Sequence, residues 1–590
     1  MKNYYIELMD KVLSAYAEED IIEYFERVKR DGLTEHGFPR LTACIGILIS
    51  KGRRAKLLPL FCDMMELCCS EIPRVKAAND FSVREIVCAL YEVERAGAVP
   101  REMLDRWRDG LSKIVPEECY TVYATDESSA VRNWALFTGV SEYFRLRYLG
   151  LPISEFVEIQ IGSQMKWIDE MGMYQDYDVI HNPTMYDAVS RMLFSLLLRG
   201  GYRGRYYDTV SEFLHRGAVC SLKMQSALGE LPFGGRSNQF LHNEATVAAV
   251  FEFEATRLRE KEDGAFALEF DKARDAAIKN IEEYLNCKPI SHVKNRFAIS
   301  SGFGCEGYAY FDKYMVTAAS NLYAAYCLCD GVGEVRSESL SEGAYSFKTT
   351  EHFHKVFLRA GEYSAEFDLN ADLRYDASGL GRFCRLGAPS VIAINLPCPR
   401  EHKFKVDISE KAPLSICPGT CAGGEWHFAT DTEHRLVSLF DSECGSSARN
   451  FTAADSFDEK SREGEKIFAA QSSFAKGNYA AAELSAVLSG EEIRTEYLLS
   501  GEGLSLTVFG KGAALMLPAF HFNGAEYSDI LNTGSTLCVK FGGWECVYEV
   551  DGEIFDLGQL SANRNGHYKG FAAYGGGDIL RVKIKIEKQK

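Results

Sequence analysis

FDKYMVTAASNLYAAYCLCDGVG (residues 311–333) and HKVFLRAGEYSAEFDL (354–369) lie on either side of a change of period. In the first stretch apolar residues recur with a helical period as far as about 329; in the second they alternate, as in a half-buried strand. Upstream, Ile6, Met9, Val12, Leu13 and Tyr16 form one helical face. Similar stripes recur at roughly 40–70, 83–115, 131–149, 155–171, 185–199, 206–227, 242–261 and 268–286. Short, turn-like connections, Arg-Asp-Gly at 30–32, Leu-Gly-Leu-Pro at 149–152 and Arg-Gly-Gly at 199–201, favour antiparallel helical hairpins. Ten or more helices in series predict a toroid or a solenoid.

Downstream, PSVIAINL, HRLVSLF, RTEYLLS, LSLTVFG and CVKFGG are separated by Gly, Asn, Asp and Ser at the spacing of a large antiparallel sandwich, and RVKIKIEKQK reads as a last strand. The expected fold is multidomain, α then β: an (α/α) toroid of helical hairpins over 1–330, then an antiparallel β-sandwich over 331–590. The interface between the two is the default cleft.

Of the 590 residues, 46% are apolar and 25% charged, as in ordinary globular proteins. A formal charge of −18 argues against general nucleic-acid binding, though a basic cleft can still exist locally. The first twenty residues lack the apolar core of a signal peptide, and no stretch of eighteen apolar residues occurs, so a soluble, cytoplasmic protein without a membrane partner is expected. The 18 cysteines are scattered through apolar helical patterns and read as buried thiols. Cys417 and Cys421 lack companion zinc ligands, so neither metal nor cofactor is expected. A homo-oligomer is compatible with the sequence.

Function-grade side chains crowd at helix boundaries. The first group is Asp126-Glu127-Ser128-Ser129 with Arg132, Asn133 and Trp134, either a plain N-cap or carboxylates beside an aromatic sugar platform. The second is MYQDYDVIHNPTMYDAVSR, with Tyr174, Asp176, Asp178, His181, Asn182, Tyr186 and an Asp187–Arg191 pair at i,i+4; here Asn182-Pro183 fixes a helix start. The third is GELPFGGRSNQFLHNEATVAAVFEFEA, in which Gly234-Gly235 permits a tight turn before Arg236, Asn238, Gln239, His242 and Glu244. A helix beginning near Ser237 would put Asn238 and His242 on one face, with Arg236 placed to grip a carboxylate. The fourth is GCEGYAYFDKYM, with Glu306, Tyr308, Tyr310 and Tyr314. Each also has a plainer reading: a capped loop, a buried histidine or a packing stripe of tyrosines.

A glycosidase needs two carboxylates flanking the scissile bond. Asp126, Glu127, Asp176, Asp178, Glu230, Glu244 and Glu306 offer too many pairings to choose among. A uronide lyase needs a neutraliser of the C5 carboxylate and a proton carrier. Asn182, Asn238, His181, His242, Arg236, Tyr308 and Tyr310 suit that demand.

On these residues the architecture resembles the heparinase II/III-like and alginate-lyase-like polysaccharide lyases. SNQFLHNEATVAAVFEFEA looks like their Asn/His-bearing helix start, and EGYAYFDKYM like the tyrosine segment before their last toroid helices. The resemblance implies that Asn238 and His242 neutralise the carboxylate or handle protons, with Tyr308 or Tyr310 as base or acid. Gln239, Phe240 and Leu241 separate Asn238 from His242, where several lyases have a tighter pair. Over roughly residues 80–250 the chain is also similar to an uncharacterised bacterial toroid family related in fold to uronic-acid-processing hydrolases, through Leu231, Pro232, Phe233, Gly234, Arg236, Ser237, Tyr174 and Asp176. RYDASGLGRFCRLGAPS looks like a lyase-type sandwich segment without assigned chemistry.

The leading expectation is therefore a lyase acting by β-elimination on a uronic-acid-containing oligosaccharide. Arg236, Asn182 or Asn238 would hold the carboxylate, His181 or His242 assist and Tyr308 or Tyr310 shuttle the proton, with Tyr186, Gln239, Trp134, Arg132 and Tyr174 lining the subsite. The alternatives are a hydrolase releasing a uronic acid through Asp126, Asp176, Asp178 or Glu244, and a non-catalytic glycan-binding protein.

Overall fold

The structure, a computed structural model, describes residues 1–176, 181–332, 343–409, 412–441 and 478–589. Its first half holds helices α1 (Lys2–Leu13), α2 (Glu18–Asp31), α3 (Gly37–Ser50), α4 (Leu58–Glu71), α5 (Val83–Arg95), α6 (Arg101–Ser112) and α7 (Pro116–Cys119). They are followed by α8 (Trp134–Tyr148), α9 (Glu155–Gln164), α10 (Thr184–Arg199), α11 (Tyr207–Met224), α12 (Leu241–Glu260), α13 (Gly264–Leu285) and α14 (Phe311–Leu328).

Six of these close a ring: α3 packs on α5, α5 on α8, α8 on α10, α10 on α12, α12 on α14, and α14 back on α3. Around it, α1 leans on α14, α4 on α3, α9 on α8, α11 on α10 and α13 on α12. The helical half is thus a toroid. Sequence follows position: α10 and α12 are buried on nearly every side, whereas α6 buries just Leu104, Trp107 and Leu111, one stripe at helical spacing. Polar groups inside the inner ring are paired, as in Arg40 with Glu85 at 2.9 Å, so their burial is tolerated. The Asp187–Arg191 pair, read from its i,i+4 spacing, is also fully buried.

The second half contains β1 (Ala344–Lys348), β2 (Lys355–Ala360), β3 (Tyr363–Asp368), β4 (Gly379–Arg385), β5 (Cys417–Ala422), β6 (Glu425–Phe428), β7 (His434–Asp441), β8 (Tyr479–Leu488) and β9 (Glu491–Ser500). It continues with β10 (Gly503–Phe509), β11 (Ala513–Phe522), β12 (Asp529–Asn532), β13 (Thr536–Phe541), β14 (Trp544–Val550), β15 (Glu553–Ala562), β16 (His567–Tyr574) and β17 (Ile579–Lys588). Every strand pairing among the described residues is antiparallel. An eight-stranded sheet, β12-β13-β14-β17-β10-β9-β8-β7, packs against a four-stranded sheet, β1 to β4, and a five-stranded sheet, β15-β16-β11-β5-β6. The two smaller sheets join through a bridge between Leu380 and Ile416, so the three form a sandwich around one apolar core.

Two local expectations fail. PSVIAINL at 389–396 forms no strand. Its residues Val391 to Leu396 are buried on all sides, Ile394 makes a single bridge to Phe383, and the Asn395 carbonyl accepts from the buried Arg382 guanidinium at 2.9 Å. A continuous apolar run cannot reveal such a role. The helix expected from Ser237 begins instead at Leu241, because Ser237 (φ 59°) and Gln239 (φ 66°) adopt left-handed conformations that no helix accommodates. Asn238 and His242 therefore do not share a helix face.

Candidate functional site

Side chains at the N-terminal ends of the ring helices meet at one mouth of the toroid. His36, before α3, lies 4.9 Å from the Phe81 ring, before α5, and Phe81 meets Trp134, the first residue of α8, edge-on at 4.7 Å. The Asn133 N–H donates to Asp176 at 3.1 Å, and Arg236 reaches the other Asp176 oxygen at 3.3 Å. The Arg236 guanidinium also stacks on Tyr186, in the first turn of α10, 4.8 Å from the ring centre. The positive ends of α3, α5, α8 and α10 gathered at this mouth favour an anionic guest.

Beside Arg236 lies a row of hydroxyls. Tyr186 Oη lies 3.2 Å from Ser237 Oγ, which lies 3.0 Å from Tyr308 Oη, and Tyr308 stands 3.4 Å from Glu306 Oε1. Glu306 accepts three short hydrogen bonds from two partners: Arg564, in the loop after β15, donates to both oxygens at 2.7 Å, and the Ser237 N–H donates at 2.7 Å. Burial, then the neighbouring Tyr186 and Glu306, keep the Tyr308 phenol well above its ordinary range, so it rests protonated. Burial also raises Asp176, against the pull of the Asn133 amide and Arg236.

The sandwich supplies a second wall. The Asp376 carboxylate accepts from the Gly235 N–H at 2.7 Å, and burial pushes that carboxyl up to about 7 despite nearby Lys355. A Cβ on Gly235 (φ 70°) would come within 3.1 Å of Pro183, so the turn preceding Arg236 requires glycine. Beside it, His354 Nδ1 bonds Asp368 Oδ1 at 2.6 Å, and the His354 and His181 rings meet edge-on at 5.2 Å. His354 Nε2 and His181 Nδ1 are buried with no hydrogen-bond partner among the described residues. Burial, then His354, lowers the His181 pKa. His181, Ser237, Gln239 and His354 all carry positive φ, a concentration of backbone strain typical of functional sites.

Of the residues singled out in the sequence, the structure brings Asp176, Tyr186, Arg236, Tyr308, Trp134 and the exposed Arg132 to this mouth, with His181 and Asn182 at its sandwich side. Tyr310 stands next to it, 61% exposed. Others lie behind it. His242 is sandwiched between Phe240 and Tyr314, and burial drives its pKa down to about 3. Glu244 pairs with buried Lys294 at 2.7 Å. Asn238 donates to the Pro232 carbonyl and accepts from Gln239. Tyr174 is fully buried, bonded to Gln164 at 2.6 Å. Asp126 is exposed and bonded to Ser128, and Asp178 lies outside the described residues.

Sequence reasoning missed His354, Asp368, Arg564 and the roles of Ser237 and Asp376. Asp376 lies in RYDASGLGRFCRLGAPS, the sandwich segment noted without chemistry, and Arg564 lies in the similarly polar turn Asn563-Arg564-Asn565. Charged residues at a strand end of an otherwise apolar sheet were the available signal. Among the described residues, no group of three His, Cys, Asp or Glu side chains is placed to hold a metal ion.

No family model matches the sequence, and no curated protein sequence matches it. Among solved structures, the chain is similar to the chondroitin AC lyase of Streptomyces coelicolor A3 in complex with chondroitin sulphate, at 11% identity and a TM-score of 0.46, over 99% of this chain and 83% of that one. It is also similar to heparinase III, at 9% identity and a TM-score of 0.36, over 86% and 76% of the two chains.

Proposed function

We propose that the toroid mouth cleaves a uronic-acid-containing oligosaccharide by β-elimination. The observation that carries this reading is the juxtaposition of a stacked, partly exposed guanidinium, Arg236, with the protonated hydroxyl row Tyr186, Ser237 and Tyr308, while the adjacent Glu306 is tied up by Arg564. Arg236 pairs with the C5 carboxylate and draws charge from it, which acidifies the C5 proton. His181, half-buried at the sandwich side of the mouth, is the base in this reading, its ring set edge-on against His354, which Asp368 orients through Nδ1–H. The proton leaves C5 for imidazole, the electron pair forms the C4=C5 bond, the C4–O bond breaks, and Tyr308 protonates the departing oxygen.

The hydrolytic reading has weaker support. Of Asp126, Asp176, Asp178 and Glu244, Asp176 alone among the described residues stands at the mouth, and both oxygens of Glu306 are engaged by Arg564. The test is to follow ultraviolet absorbance of a C4=C5 unsaturated uronate together with reducing-end release over a panel of uronate oligosaccharides. Absorbance rising in step with reducing ends supports elimination; reducing ends without absorbance overturn it.

A further inference from the structure

A cleft of ≈ 560 Å³ opens on the other side of the 306–310 segment from the hydroxyl row. One wall is Glu306, Gly307, Ala309, Tyr310 and Phe311; the other is the sandwich loop His402-Lys403-Phe404-Lys405. The walls are tied together: the Gly304 N–H donates to the Lys405 carbonyl at 2.8 Å, and the Lys405 N–H to the Cys305 carbonyl at 2.9 Å. The Lys403 N–H bonds the Arg374 carbonyl at 2.8 Å, and His402 Nε2 bonds the Ala562 carbonyl at 2.8 Å. The loop is therefore a preformed edge.

Glu401 and Asp407 flank the loop's two lysines, but Asp407 is bonded to His567 at 2.6 Å and Glu401 lies near Arg374. Lys403 and Lys405 are exposed, and neither makes an ion pair among the described residues, in a chain with 84 acidic and 66 basic side chains. Most other arginines and lysines at this end of the molecule are engaged, as in Arg564 with Glu306, Arg374 with Asp372 and Lys313 with Glu35. Facing the two lysines is Tyr310, 61% exposed, a ring large enough to receive the apolar face of a sugar. An exposed aromatic ring facing two unpaired ammonium groups is the arrangement that a site for an anionic sugar requires.

We infer that this cleft is a second, charge-reading subsite, which takes another anionic sugar of the same chain, its ring on Tyr310 and its carboxylate or sulfate between Lys403 and Lys405. The inference rests on the proposed reading that the toroid mouth binds a uronate. Tyr308 and Tyr310 are two residues apart, so one oligosaccharide can pass from the hydroxyl row into the cleft. The substrate is then a glycan with at least two anionic residues, and discrimination against a singly charged chain arises here rather than at Arg236.

The test is calorimetric binding to the full chain carrying Tyr308→Phe, which removes turnover from the measurement. Two size-matched tetrasaccharides are compared, one with two anionic sugars and one with a uronate followed by neutral sugars. The doubly charged ligand should bind about tenfold more tightly, with the preference weakening as salt rises. In Lys403→Gln/Lys405→Gln the two ligands should bind alike, and Lys403→Arg/Lys405→Arg should restore the preference. Equal affinities in the parent chain, a preference that survives the glutamine pair, or no binding of either ligand would overturn the inference. Preferential binding with no unsaturated product from the unsubstituted chain would leave the cleft standing and sink the elimination reading alone.

Discussion

Replacing Arg564 by Met should uncouple the sandwich from the toroid mouth. The Arg564 side chain is 1% exposed and that of Glu306 2%, and two 2.7 Å contacts join them. Met fills most of the volume, so the loss is chiefly that of the counter-charge to a buried carboxylate, for which truncation of one partner costs about 3–5 kcal/mol. Arg564 also donates to the Gly304 carbonyl at 2.8 Å, and orphaning that acceptor adds about 1 kcal/mol. Ser237 and Tyr308 depend on Glu306 for their placement, so turnover should fall by about a hundredfold as the hydroxyl row loses register. The assay is urea unfolding followed by intrinsic fluorescence, on the wild type, Arg564→Met, Glu306→Gln and the double variant. The double variant should be markedly more stable than the sum of the single losses predicts, because it removes both charges together. A loss below about 1 kcal/mol for Arg564→Met, or strict additivity, would refute the view that this pair holds the site.

Tyr308→Phe should cut turnover by about 10²–10⁴ and leave unfolding unchanged, since the ring is 39% exposed and one hydroxyl is lost; unaltered turnover would remove Tyr308 from the chemistry. His242→Gln should keep turnover within about threefold, because the imidazole is enclosed by Phe240 and Tyr314 and lies behind the mouth; a collapse of activity without unfolding would contradict its structural role. Asp376 is raised from 3.8 to about 7 in the folded protein, so the folded state holds the proton more tightly. Its contribution is full below about 4 and is lost as pH rises through about 7. The buried histidines His242 and His292, held down to about 3 and about 4, act in the opposite sense, which makes the comparison with Asp376→Asn the informative one. Between pH 5 and 7.5 the wild type should lose stability relative to that variant in urea melts, and a constant difference would show that the Asp376 proton is not taken up on folding.

The alternation of helical and strand periods made the two architectures legible, because α1 and β17 each bury one face and display the other. The ring itself was harder to see: α10 and α12 are buried all round, so their sequences give helices without a facing direction. At the mouth, Arg236, Tyr186, Asp176 and Tyr308 were recognisable by type and crowding. Their partners were not, since Asp368, Asp376 and Arg564 follow Arg236 by more than a hundred residues and meet this segment through sandwich loops. His242 misled for a physical reason: a histidine in a helical start beside Asn and Glu has one composition whether it faces a cleft or fills a core, and the left-handed turn at Ser237 and Gln239 decides which.

The most direct test of the central claim is to give the protein a uronate oligosaccharide carrying deuterium at C5 and to analyse the products by mass spectrometry. Elimination predicts that the new non-reducing end lacks the elements of one HDO relative to a hydrolytic product, the C5 deuterium being the one lost, with turnover slowed by the isotope and cut by about 10²–10⁴ in Tyr308→Phe. Retention of deuterium in a saturated product would contradict the account and return attention to Asp176 as one of a pair of hydrolytic carboxylates.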